Sequence, residues 1–227
     1  MYFFLKENMM PQHTEPPEVT LENIHSRMQF FGGNIKDEYP EQLMVCTWLH
    51  PQSNVLELGA NFGRNTLTIS SILTDSKNLV TLETDPNSHA ILVKNRDANN
   101  LHFRTENAAL SYKRLWQRGW VTQPSDEPLP GHLEVKTVTF EDLEKKHDIT
   151  FDTLVCDCEG ALYFIAKDNP NVFDNMKLVI LENDFLSLEH KLFVDKLMVE
   201  KGLYCVYSQL GPWGPCRDRF YEVWKRL

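Results

Sequence analysis

The residue pattern richest in chemistry is Val55-Leu-Glu-Leu-Gly-Ala-Asn-Phe-Gly-Arg-Asn-Thr. An apolar run enters a turn holding Gly59 and Gly63, then a helical pattern, which lets backbone approach a ligand at a helix N-terminus. Asn61 stands where dinucleotide binders keep the glycine that makes room for a pyrophosphate. Glu57 would repel a diphosphate, so a cationic ligand suits this turn better than a phosphate. Glu83 lies 20 residues beyond Gly63, at the end of the next apolar run. An acid at that spacing typically accepts ribose hydroxyls, and its pairing with the glycine turn favours this role over a solvated strand end. Asp85 precedes Pro86 and reads as the N-cap of the following helix.

These residues need a scaffold, and the hydrophobic pattern supplies one. Short apolar runs predict strands at 55–58, 79–83, 102–105, 133–138, 151–157 and 178–182. Helices are expected from residue 37 to Pro51, over 66–73, 87–99 and 188–200, the last stopped by Gly202 as a left-handed residue. Two closing strands, 203–208 and 220–224, have only a turn-rich link between them and should pair antiparallel. Alternating strands and helices imply right-handed crossovers and a mostly parallel sheet covered on both faces. Residues 1–36 carry a proline cluster and no sustained period. They read as an N-terminal extension with one helical turn near 21–30, followed by a domain over 37–227. Residues 116–131, with three prolines and two glycines, form an irregular insertion. Such an insertion serves either as a lid or as a surface excursion, and the sequence leaves both open.

The segments ELGANFGRNT and LVTLETDP together resemble the class I S-adenosylmethionine-dependent methyltransferases. Asn107-Ala-Ala-Leu-Ser, VKTVTFEDL, VCDCEGA and LVILEN, in that order, resemble the FkbM-type members. The resemblance runs from Val55 to the final hairpin. It implies a Rossmann-like seven-stranded sheet with a reversed last strand, and S-adenosylmethionine as methyl donor. Carried residue by residue, it places the methionine moiety and sulfonium against Glu57, Gly59, Ala60, Asn61 and Gly63. It places the ribose on Glu83, the adenine near Asn107 and Ala108, and Asp157 beside the transferable methyl. By position, Asp157 and Glu159 are the candidates for a base that takes a proton from an acceptor hydroxyl. The alternatives are that Asp157 anchors the ammonium of the cofactor and that Glu159 caps the next helix. The implied activity is O-methylation of a small hydroxylated molecule, a sugar or glycan first. A catalytically silent methyltransferase-like binding protein is the alternative. Glu182 and Asn183 end the fifth strand of the parallel set, on the same edge as Asp157. Oxygen ligands of this type suit magnesium, but no metal is assumed.

Composition narrows the partners. With 42% hydrophobic and 24% charged residues, the chain belongs with globular domains. Its net charge of −9 gains nothing from counterion release on a phosphate backbone, so a nucleic-acid partner is not expected. Asp-Cys-Glu-Gly replaces the Asn-Pro-Pro-Tyr block of enzymes that methylate base amines. No apolar run approaches the roughly 18 residues that span a bilayer, and Tyr2-Phe3-Phe4-Leu5 is too short for a secretory apolar segment, so no membrane partner is expected. The five scattered cysteines do not read as a disulfide scaffold and point to a reducing, cytoplasmic setting. Tyr163 and Lys167 have dehydrogenase spacing without the glycine loop that should accompany it, so Tyr163 is expected to pack on the sheet.

Overall fold

The computed structural model describes residues 15–227. The sequence features at Tyr2–Phe4, Leu5 and Pro11 lie outside the described residues. A seven-stranded sheet runs in the order β11-β12-β10-β9-β1-β2-β3. Its strands are β1 (Val55–Leu58), β2 (Leu79–Leu82), β3 (Arg104–Glu106), β9 (Thr153–Cys156), β10 (Leu178–Glu182), β11 (Leu203–Gln209) and β12 (Tyr221–Arg226). β12 is antiparallel to both neighbours, and the pairs formed among β3, β2, β1, β9 and β10 are all parallel. β12 is therefore not at the edge: it returns between β10 and β11, and β11 is the edge strand.

β1, β2 and β9 are buried along their whole length, as strands covered on both faces must be. Alternate residues feed two cores. Leu56, Leu58, Val80, Leu82, Leu154 and Cys156 pack on one face, and Val55, Leu79, Val155, Ile180 and Val223 on the other. Covering helices are α2 (Tyr39–Trp48), α3 (Arg64–Ile72), α4 (Pro86–Ala98), α5 (Phe140–His147), α6 (Leu162–Asp168) and α7 (Leu188–Glu200). Gly202, just after α7, has φ +80°, as its place at the helix end requires. Asp85 caps α4 by accepting from Ser88 N at 2.8 Å.

Two stretches depart from the sequence reading. The N-terminal segment holds a three-turn helix, α1 (Pro17–Arg27), where one turn was expected. Leu21 and Ile24 bury against Cys46 of α2, so this amphipathic segment is packed and not loose. The expected strand over 133–138 is split. β7 (Leu133–Val135) joins β5 (Leu115–Arg118) and β6 (Val121–Pro124) in a separate antiparallel sheet. β8 (Thr137–Val138) pairs instead with β4 (Ala109–Leu110). The insertion is thus an ordered three-stranded flap, because Trp116 supplies it with a buried side chain and donates Nε1–H to Ser125 O at 3.0 Å.

Candidate functional site

The parallel register aligns the carboxyl ends of the central strands. Leu58 is opposite Leu82 on one side and Cys156 on the other, Cys156 is opposite Leu181, and Leu82 is opposite Glu106. The next residue on each strand therefore joins one row, Asn107, Glu83, Gly59, Asp157 and Glu182, with Tyr221 opposite Glu182. β1 is where chain order reverses, since β2 continues one way and β9 the other. This is the switch point at which open α/β sheets bind ligands. A cleft of about 1210 Å³, counting space open to solvent, lies over this edge. It is walled by Gly59, Asn61, Glu83 and Asp157 below and by Gln117, Trp120 and Thr122 of the flap above. The insertion therefore covers the cleft, and Trp120 lines it while remaining 60% exposed.

Gly59 and Gly63 are there for geometry. Gly59 has φ +89°, and a Cβ on it would lie 1.5 Å from Asp157 O. No other residue lets β1 and β9 come this close beyond their last hydrogen bonds. Gly63 has φ +93°, and its Cβ would press on Leu92 at 2.7 Å. It forms the left-handed entry to α3. Asn61 is also left-handed, φ +50°, which asparagine tolerates better than most residues. Its N–H donates to Glu83 Oε2 at 2.7 Å, and its buried Oδ1 has no partner.

Glu83 accepts from two backbone amides, Asn61 N on Oε2 and Asp85 N on Oε1, both at 2.7 Å. Each carboxylate oxygen keeps acceptor capacity beyond the one amide it binds. Burial raises the Glu83 pKa, and those amides oppose the shift. Glu57 is 2% exposed and points into the sheet's face. Its Oε2 accepts from the hydroxyls of Thr66 at 2.7 Å and Thr81 at 2.6 Å. Even so, burial pushes it up to about 7. Asn107 donates Nδ2–H to the carbonyls of Glu83 and Thr84, at 2.8 and 3.1 Å, so its side chain braces the loop after β2. Ala108 and Glu83 both line the cleft. Ala60 turns into the core, and its N–H goes to Leu82 O at 3.1 Å.

The other end of the row is a crowd of acids. Burial raises the Asp157 carboxyl well above its usual range, and Asp184, Glu38, Glu41 and Glu159 push it further. Glu182 is pushed up to about 12 by burial, by a hydrogen bond to Glu41 and by Asp157. Asp184 rises to about 7 through burial, although Gly160 N donates to its Oδ1 at 2.9 Å. One oxygen each of Asp184 and Glu41 is buried without a partner. Glu159 is exposed at the cleft wall with a left-handed φ of +53°, and burial also raises its pKa. Asn183 gives its Nδ2–H to Arg219 O at 2.6 Å, so its amide nitrogen serves the loop before β12. Among the described residues no group of three or more His, Cys, Asp or Glu has metal-holding geometry.

No protein-family model and no curated protein matches the chain. Solved structures do. The chain is similar to a ribosomal protein L11 methylase from Lactobacillus delbrueckii subsp. bulgaricus, with 11% identity over 87% of this chain and 81% of that one, TM-score 0.54. It is similar to a protein of the NADB-Rossmann superfamily from Streptococcus agalactiae, with 11% identity over 87% and 70%, TM-score 0.52. A proposed RNA methyltransferase from Pyrococcus horikoshii aligns at 10% identity over 95% and 98%, TM-score 0.51. The fold is the Rossmann-like one of methyltransferases. At these identities the likeness carries the architecture and leaves the acceptor open.

Of the residues singled out in the sequence, Gly59, Asn61, Glu83, Ala108, Asp157 and Glu159 line one cleft. Glu57 lies behind them, and Gly63 shapes the turn. Sequence reasoning missed Glu38, Glu41, Asp184 and Arg64. Arg64 is buried at the start of α3 and binds Glu38 Oε1 at 3.0 Å and Asn34 O at 3.0 Å, which straps the N-terminal segment to the glycine turn. Arg64 stood inside the quoted glycine motif, so a signal existed. Glu38 and Glu41 come from the segment leading into α2 and from α2 itself, where nothing in their spacing sets them apart from a solvated face. Tyr163 packs against the core and stacks on His190, ring centroids 3.8 Å apart, with Lys167 Nζ 3.4 Å from its hydroxyl.

Proposed function

We propose that the protein is an S-adenosylmethionine-dependent methyltransferase of the FkbM type that methylates a hydroxyl of a small molecule, a sugar or glycan first, in the cytoplasm. The observation that carries this reading is Glu83. Its carboxylate is fixed by two backbone amides at the sheet's switch point, one of them in the glycine turn, keeps spare acceptor capacity, and lines the cleft. Ribose hydroxyls are donors that match it. The cofactor fits on independent grounds too. Asn61 Oδ1 is a buried acceptor without a partner, and the row is acidic where a sulfonium and an ammonium are cations.

When bound, the cofactor supplies a methyl group activated on a sulfonium. The chain's own part is to hold both reactants in line and to manage the acceptor's proton. Positioning of well-oriented groups can supply about 7–11 kcal/mol. Asp157 is the group we assign to the proton. Burial, and then crowding by Asp184, Glu38 and Glu41, raises its pKa well above the usual carboxyl range, which makes its carboxylate a stronger base. Glu159, at the same wall, is the second candidate. An acidic acceptor end and a net charge of −9 both disfavour a nucleic-acid acceptor.

Calorimetric titration with S-adenosylmethionine tests the reading directly. Saturable heat and a thermal shift are expected. Absence of both would sink it and favour a silent binding protein. With binding established, hydroxylated acceptors incubated with labelled cofactor should yield a product whose added methyl is located on oxygen by mass spectrometry.

A further inference from the structure

We propose that Cys156 and Cys158 form a thiol pair that closes to a disulfide on exposure to a peroxide, a modification site in the wall of the cleft. Cys156 ends β9, and Cys158 stands two residues on, while the intervening Asp157 N–H still bonds Leu58 O as a strand residue would. Side chains two apart on extended backbone point to the same face, and both cysteines pack on the same core cluster. The two sulfurs lie 3.2 Å apart.

The two thiols are unequal in a way that orders the chemistry. Cys158 lines the cleft and can meet a small oxidant, whereas Cys156 is buried in the core beneath it. Attack of the Cys158 sulfur on a hydroperoxide breaks the O–O bond, giving a sulfenic acid and releasing an alcohol, or water from hydrogen peroxide. The Cys156 sulfur then displaces the sulfenic oxygen, which leaves as water with the remaining thiol proton. Two thiols and one peroxide thus yield one disulfide, with the peroxide reduced by two electrons. The Cys158 neighbour, and then burial, raise the Cys156 thiol well above its usual range, which keeps it protonated and leaves the first attack to Cys158. The bond would form across Asp157, whose carbonyl is wedged against Gly59 and whose N–H is bonded to Leu58 O at 3.0 Å. The peptide there cannot shift freely, so closure acts on the loop that presents the Asp157 carboxylate.

This inference rests on the geometry of the loop and not on the cofactor assignment, so each can fail without the other. The test uses the full chain, treated with hydrogen peroxide, alkylated, and digested with trypsin. The peptide spanning residues 147–167 contains Cys156 and Cys158 and no other cysteine. We expect it two hydrogens lighter and unalkylated, with alkylation of both residues restored by a dithiol reductant. In Cys156→Ser, checked by its melting curve, Cys158 should instead gain oxygen. In Cys158→Ser, neither change should appear at Cys156. Full alkylation of both residues after treatment would overturn the proposal. So would oxygen added at Cys158 of the parent chain while Cys156 still alkylates.

Discussion

The two halves of the sheet's carboxyl edge use the same side chain to opposite ends. On the β1–β2 side, Glu57 and Glu83 each hold two donors, and their positions are settled before any ligand arrives. On the β9–β10 side, Asp157, Glu182 and Asp184 face mainly one another and Glu41, with raised pKa values and buried oxygens lacking partners. The first half is preorganised, and the second is a crowd of carboxyls that cannot all be ionised at once. A preorganised carboxylate binds well and changes little during a reaction. A crowded one sits near the point of taking up a proton, which is what a base must do. The comparison separates binding from chemistry along a single row of residues, and each change below presses on one side of it.

The largest effect should come from the joint between the halves. Gly59→Ala places a methyl 1.5 Å from a backbone oxygen, an overlap that only separation of β1 from β9 can relieve. We expect a loss of more than about 4 kcal/mol in urea unfolding. A variant as stable as the parent would show that the two strand ends do not meet as described.

Asp157→Asn keeps the shape and removes the carboxylate proposed as the base. Single-turnover methyl transfer should fall by about 10²–10⁴-fold while cofactor affinity changes far less. If affinity falls as steeply as turnover, Asp157 belongs with the binding half. Near-normal turnover with normal binding would move the base to Glu159.

Glu83→Gln is the counterpart. Replacement by alanine would free the amides of both Asn61 and Asp85, whereas glutamine keeps an acceptor for one of them. Charge-assisted hydrogen bonds are worth about 1.5–3 kcal/mol each, and weakening them should cost at least about tenfold in affinity by calorimetry. Unchanged affinity with a normal melting curve would remove the ribose assignment.

The smallest effect is on stability against pH. Glu57 and Asp184 are each raised to about 7 from ordinary carboxyl values. The folded chain therefore holds protons that the unfolded chain has already lost. Their contribution to stability is complete below the ordinary carboxyl range and disappears as pH rises through about 7. The melting temperature of the ligand-free protein should rise as pH is lowered from mildly alkaline to mildly acidic. Glu57→Gln should flatten that rise, and an unchanged slope would show that Glu57 is ionised throughout.

Local signals reach far along this chain. Runs of apolar residues marked the seven strands of the main sheet, and α7 was legible to its last residue, because burial on both faces and a glycine stop leave direct imprints on sequence. Gly59, Gly63 and Glu83 were legible for a similar reason: backbone geometry and strand ends demand particular residues at particular spacings. The flap was visible only as an interruption, since its three short strands carry little periodicity and take their order from packing around Trp116.

The sequence by itself determined the mostly parallel sheet, the glycine turn and the acids at the strand ends, all of which follow from short-range pattern and steric need. Only the tertiary structure decided which acids would crowd Asp157, that the insertion would roof the cleft, and how near the sulfurs of Cys156 and Cys158 would come. Glu38 and Glu41 reach the row from a segment distant in the chain, and repulsion among buried carboxylates depends on separations of a few ångströms that packing alone sets. Strand alternation puts the two cysteines on one face, but the 3.2 Å between their sulfurs is set by side-chain packing against the core.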